Sequence, residues 1–110
     1  MESVERWVDA QDFRVTNRTV RDSESGRLVD YAVTHEVMEQ DGTWHAVARI
    51  DCSHGEVHRH VPPADSNGEL KREVIRVIRG QGDAENTYQY SLSEIYDNLE
   101  IHESRWRNGY

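Results

Sequence analysis

Asp51-Cys52-Ser53-His54-Gly55-Glu56-Val57-His58-Arg59-His60 gathers three of the six histidines of this 110-residue chain into ten positions. The same stretch holds the only cysteine, two carboxylates and an arginine. Imidazoles, carboxylates and a guanidinium at this density suit proton transfer or metal ligation. The metal reading takes His54, His58 and His60 as three neutral imidazole ligands, completed by Asp51 or Cys52. The acid–base reading takes His58 and His60 as a proton-transfer pair, with Arg59 or Arg49 stabilising a phosphoryl charge. Metal-independent RNA cleavage needs such a set: a base for the 2′-hydroxyl, an acid for the leaving oxygen and a cation. It needs no cofactor. The plainest reading is structural, with edge-strand histidines that only discourage sheet-to-sheet pairing.

The elements that must position these residues are read from periodicity. Alternation over residues 56–61 sends His58 and His60 to one face, and Arg59 to the other with Val57 and Val61. The preceding strand is clearer. Val29, Tyr31, Val33, His35 and Val37 alternate with polar or small residues, and Trp44, Ala46, Ala48 and Ile50 do so on the return. Asp41-Gly42 between them predicts a two-residue type I′ hairpin. That turn sets Gln40 opposite Thr43, Val37 opposite Ala46, His35 opposite Ala48 and Val33 opposite Ile50. His35 is then a core histidine, and His45 falls on the polar face.

Val4, Trp7 and Val8 predict a short N-terminal helix or a docked arm over residues 1–12. Residues 13–79 read as sheet, although 69–79 fit two readings. Leu70, Val74, Val77 and Ile78 suit a helix, while β-branched Val74, Ile75, Val77 and Ile78 between Gly68 and Gly80 favour a strand, which is the expectation. A polar linker precedes a C-terminal helix over 91–107. There Ser91 and Glu94 match a capping box, and Leu92, Ile95, Tyr96, Leu99, Glu103 and Trp106 share a stripe. His102 on that helix is expected to be solvated. The basic run Lys71, Arg72, Arg76 and Arg79 could hold a phosphate backbone, with Trp44, Tyr88 or Tyr90 stacking on a base.

The length suits one domain over 1–110. A net charge of −8 argues against unspecific binding to nucleic acid or an anionic membrane. One cysteine gives no internal disulfide, and no apolar run reaches the length of a membrane span. A cytoplasmic protein is the expectation.

The run from Ala48 to His60 resembles a signature of a small uncharacterised prokaryotic domain family. In it an Arg-x-Asp strand leads into a His-Gly turn and a His-Arg pair, and a helix closes the chain. It is distantly similar to the TumE-like toxins of toxin–antitoxin systems. The resemblance covers residues 28–61 and the closing helix, and it points to Arg49, Asp51, His54, His58 and His60 as site residues. It implies an α+β fold, a curved antiparallel sheet of four or five strands with a C-terminal helix packed on one face. It also implies a toxin-type ribonuclease acting on RNA, partnered by an antitoxin-like protein. A non-catalytic interaction module, homodimeric through a sheet edge, and a metal-binding protein are the competing expectations.

Overall fold

A computed structural model describes residues 2–9, 13–53, 55–64, 69–77 and 83–108; for 2–9, 53, 63, 64 and 76 it describes the backbone alone. Within them lies an α+β fold, an open antiparallel sheet with two helices against one face. The strands are β1 (Glu2–Asp9), β2 (Phe13–Arg21), β3 (Leu28–Met38), β4 (Trp44–Ser53), β5 (Glu56–Ala64) and β6 (Leu70–Val77). They lie side by side in chain order, an up-and-down meander in which each strand pairs with the next. The helices are α1 (Asp83–Asp97) and α2 (Leu99–Asn108). The strand expected over 69–79 is present as β6.

The sheet exceeds the expected four or five strands because residues 2–9 form β1 and not an arm or a helix. β2 would otherwise end the sheet with a row of unpaired backbone groups. β1 pairs with them from Glu2 opposite Arg21 to Asp9 opposite Arg14.

The hairpin between β3 and β4 differs from expectation in two ways that cancel. Glu39 N–H donates to the Thr43 carbonyl at 2.8 Å, so the loop is Gln40-Asp41-Gly42, three residues with Gly42 at φ 84°. Asp41 braces it by accepting from Thr43 N–H and Oγ1. Near the turn the register is therefore one step off the prediction, with Met38 opposite Trp44 and Val37 opposite His45. A bulge at Val47 then restores the predicted pairs His35–Ala48 and Val33–Ile50. Val47 and Ala48 are both buried, whereas Ala46 is exposed. His45 consequently lies on Val37's side of the sheet, where its ring meets Trp106.

The core lies between the sheet and the helices, built on Val15, Tyr31, Val33, Ala48, Ile50, Cys52, Val57 and Ile95. The expected single helix is two. Asn98 turns its side chain back to donate to the Glu94 carbonyl at 2.8 Å, and a side chain competing for backbone acceptors ends α1. Helix α1 also begins earlier than Ser91, at Asp83, whose charge and that of Glu85 suit a helix N-terminus. Ser91 is not a cap: it is buried in α1, donates to the Thr87 carbonyl and bonds the Tyr31 hydroxyl at 3.0 Å. The stripe that α1 buries is Ala84, Thr87, Ser91 and Ile95. Ala84, Thr87 and Ser91 are small, which leaves room for the Tyr31 ring that bonds Ser91, and Ile95 is the large side chain of the stripe. Leu92 and Leu99 pack half-buried at its margin. His102, expected in solvent, is buried on α2.

Candidate functional site

With both helices on one face, alternate residues of β2 to β6 project from the uncovered one. Gly55, at φ 77°, makes the β4–β5 turn, so Ser53 stands opposite Glu56. The ladder then fixes Asp51 opposite His58 and Arg49 opposite His60. Four side chains with acid–base capacity thus meet on two adjacent strands. β6 adds a fifth, since Arg72 stands opposite His60.

Asp51 is the centre of the cluster. Its Oδ2 lies 3.0 Å from Arg49 Nε and 3.5 Å from His60 Nε2, and its Oδ1 lies 3.3 Å from His58 Nδ1. His58 is 5% exposed and engaged at both nitrogens. Arg72 Nη2 donates to its Nε2 at 2.8 Å, so Nε2 carries the lone pair and Nδ1–H donates to Asp51. Glu56 Oε1 also stands 3.3 Å from Nε2. Nε2 accepts from Arg72 or, once protonated, donates to Glu56; it cannot do both. His60 is more open, and Arg49 Nη2 donates to its Nε2 at 3.3 Å. Burial first, then the Arg49 charge, holds the His60 pKa below the ordinary histidine value. The lowered value favours the neutral imidazole at His60.

Arg49, His60 and Arg72 also line a small hollow of about 290 Å³, floored by Ala46 and bordered by Glu69 and Leu70. Two guanidinium groups and an imidazole around an empty floor suit an anion of phosphate size.

The predicted site residues separate cleanly. Arg49, Asp51, His58 and His60 are brought together. His54, on which the metal triad depended, lies outside the described residues. The His58 and His60 rings stand 6.4 Å apart at 62°, and the His58 nitrogens face Asp51, Arg72 and Glu56. Among the described residues no three His, Cys, Asp or Glu side chains group as metal ligands. Cys52 is buried on the helix side, and burial pushes its thiol up to about 11, far from nucleophilic use. Arg59 also belongs to the helix side, where it bonds Glu73 on β6 and Glu94 on α1. Of the two arginines considered for the phosphoryl charge, the geometry keeps Arg49.

The basic run does not act as one patch. Arg72 joins the cluster, while Lys71 stands opposite Val61 and Arg76 opposite Val57, both on helix-side register positions. The Arg76 side chain and all of Arg79 lie outside the description. Two of the aromatic candidates for base stacking are diverted: Tyr88 packs on Tyr31 in the core, and the Arg14 guanidinium covers Trp44 at 4.2 Å. Tyr90 is exposed on α1, across the sheet from the cluster. Sequence reasoning missed Glu56 as a His58 partner, and Arg14, Thr16 and Arg18, which alternate on β2. That alternation was the available signal.

The fold and the cluster define a class: an open antiparallel sheet backed by helices, with a histidine–carboxylate–arginine cluster on its bare face. The chain belongs to the family described as Domain of unknown function (DUF7718), which it matches over residues 1–109. No curated protein and no solved structure matches it. Among the described residues no helix is long and apolar enough to cross a membrane.

Proposed function

We propose that the protein is a small metal-independent ribonuclease of toxin type, with its site on the open face of the sheet. One observation carries this reading: Arg49, Asp51, His58, His60 and Arg72 converge there within hydrogen-bond distance of one another. The resemblance to TumE-like toxins supports it and suggests an antitoxin-like protein as partner.

In the proposed reaction the scissile phosphate enters the hollow between Arg49 and Arg72. Neutral His60 takes the 2′-hydroxyl proton, and the 2′-oxygen attacks phosphorus. His58 gives a proton to the departing 5′-oxygen, leaving a 2′,3′-cyclic phosphate and a 5′-hydroxyl. The phosphate draws Arg72 from His58 Nε2, which then takes up a proton and donates to Glu56. Asp51 holds the other nitrogen throughout and supports the imidazolium. The arginines neutralise charge on the phosphoryl oxygens.

Fluorogenic RNA incubated with the protein in excess chelator tests this. Cleavage should yield cyclic phosphate ends, spare 2′-deoxy substrates, and vanish in His60→Ala and His58→Ala proteins that keep their circular dichroism. An inactive wild type, or variants as active as it, sinks the reading.

A second reading, a non-catalytic interaction module, is favoured by β6. That strand ends the sheet and leaves Val74 51% and Val77 46% exposed. A stable homodimer that Val74→Lys dissociates, together with no turnover, would favour it.

A further inference from the structure

A second depression lies on the same face, across the Arg49–Asp51 ion pair from the hollow described above. It spans β2 to β4 and encloses about 510 Å³, within the size range of small-molecule sites. Its floor is low because Thr16, Ala32 and Thr34 are small, and Thr16 stands opposite Thr34 in the ladder. One end is walled by Arg14, held by Glu36 at 3.0 Å and stacked over Trp44. The other end carries exposed Arg18 and half-buried Asp30. Arg49 lines both depressions, so they are neighbouring compartments of one groove.

We propose that this depression is a subsite for one nucleotide flanking the scissile phosphate, so that the ligand of the open face is single-stranded RNA lying across the strands. This rests on the ribonuclease reading for the identity of the neighbouring phosphate. The centres of the two compartments, over β5 and β3, are two strand spacings apart, roughly 9.5 Å. A sugar and base cover that distance, whereas a duplex would have to lay a rigid backbone over the Arg14–Trp44 wall. Arg18 receives a further phosphate. Asp30, an acceptor only, receives a hydrogen bond from the exocyclic amino group of a base. Cytosine, adenine and guanine offer that group and uracil does not. The open face carries more carboxylates than arginines among its described side chains, Asp30, Glu36, Asp51, Glu56 and Glu69 against Arg14, Arg18, Arg49 and Arg72. Recognition there works by placed contacts and not by a general positive field.

Binding of uncleavable 2′-O-methyl tetranucleotides, followed by backbone amide NMR, tests the subsite apart from the chemistry. Inorganic phosphate should move resonances of Arg49, His60 and Arg72 and leave Thr16, Ala32 and Thr34 in place; tetracytidylate should move those three as well. Arg18→Ala should weaken tetracytidylate about fivefold and leave phosphate binding unchanged. Asp30→Asn should erase the preference for tetracytidylate over tetrauridylate. Perturbation confined to the phosphate hollow, an Arg18→Ala protein binding like wild type, or no tetranucleotide binding would overturn the subsite. A wild type that binds in this pattern but never cleaves RNA would instead overturn the catalytic reading alone.

Discussion

His58 and His60 on the open face and His35 and His102 beneath the helices are two pairs of imidazoles on opposite sides of one sheet. Burial does not separate them: His58 and His102 are each 5% exposed, and His35 is 1% exposed. Partners do. Each nitrogen of His58 has a carboxylate within 3.3 Å. His35 Nδ1 and His102 Nδ1 are buried with no hydrogen-bond partner among the described residues. Burial, with the His102 charge second, pushes His35 down to about 4, and burial lowers His102 also. One pair is hydrogen-bonded to charged side chains, and the other leaves a ring nitrogen buried without a partner among the described residues. A buried histidine becomes a candidate catalyst through the carboxylate that faces it.

The largest break of this contrast comes from removing the shared carboxylate. Asp51→Ala leaves His58 and Arg49 without their common partner, and RNA cleavage should fall by about 10²–10⁴-fold, with His60→Ala comparable. Initial rates on fluorogenic RNA measure it, and an unchanged rate would dissolve the distinction between the pairs.

The helix-side pair should show itself in acid. His35 has a folded pKa below its unfolded value of 6.5, so the unfolded chain binds the extra proton first as pH falls. Its stabilising contribution is complete above about 6.5, declines through the window down to about 4, and is then constant. The decline is about 3 kcal/mol. Urea unfolding at pH 7 and pH 4.5 should record it, and His35→Leu should flatten it without touching cleavage. His60 sharpens the other side. If the protein cleaves RNA as proposed, the lowered His60 pKa should place the acid limb of kcat/KM below the ordinary histidine value, and Arg49→Gln should raise that limb by removing the second cause of the shift.

A smaller effect tests how the helices are held over His35. Tyr31→Phe removes the bond to Ser91 and should lower stability by about 1 kcal/mol at every pH. Smallest is Arg107→Ala, which breaks exposed ion pairs to Glu103 and Glu39 and should shift the unfolding midpoint negligibly.

Much of the open-face site was legible because strand alternation is a local rule. It separates His58 and His60 from Arg59 whatever the rest of the chain does. Arg49 and Asp51 were pointed to by the resemblance, and the pairing of Ser53 with Glu56 sets them opposite His60 and His58. The helix-side pair was half legible: His35 sat on an apolar stripe, but His102 sat among Glu100, Glu103 and Arg105 and looked solvated. It is buried on α2, beyond the break at Asn98, and helical periodicity counted through that break does not register it.

The sequence by itself determined the α+β class, the β3–β4 hairpin and the face shared by His58 and His60. Each of these is decided within a turn or a few residues of alternation. The strand character of residues 70–77 was settled by pairing with β5. Only the tertiary structure decided that Arg72 and Glu56 compete for His58 Nε2, that Cys52 and Arg59 belong to the helix side, and that β1 completes the sheet. It also decided that a three-residue loop and a bulge at Val47 offset one another. Such outcomes depend on contacts between residues distant in the chain. Sheet pairing and burial choose among local options there that the residues alone leave equal in energy.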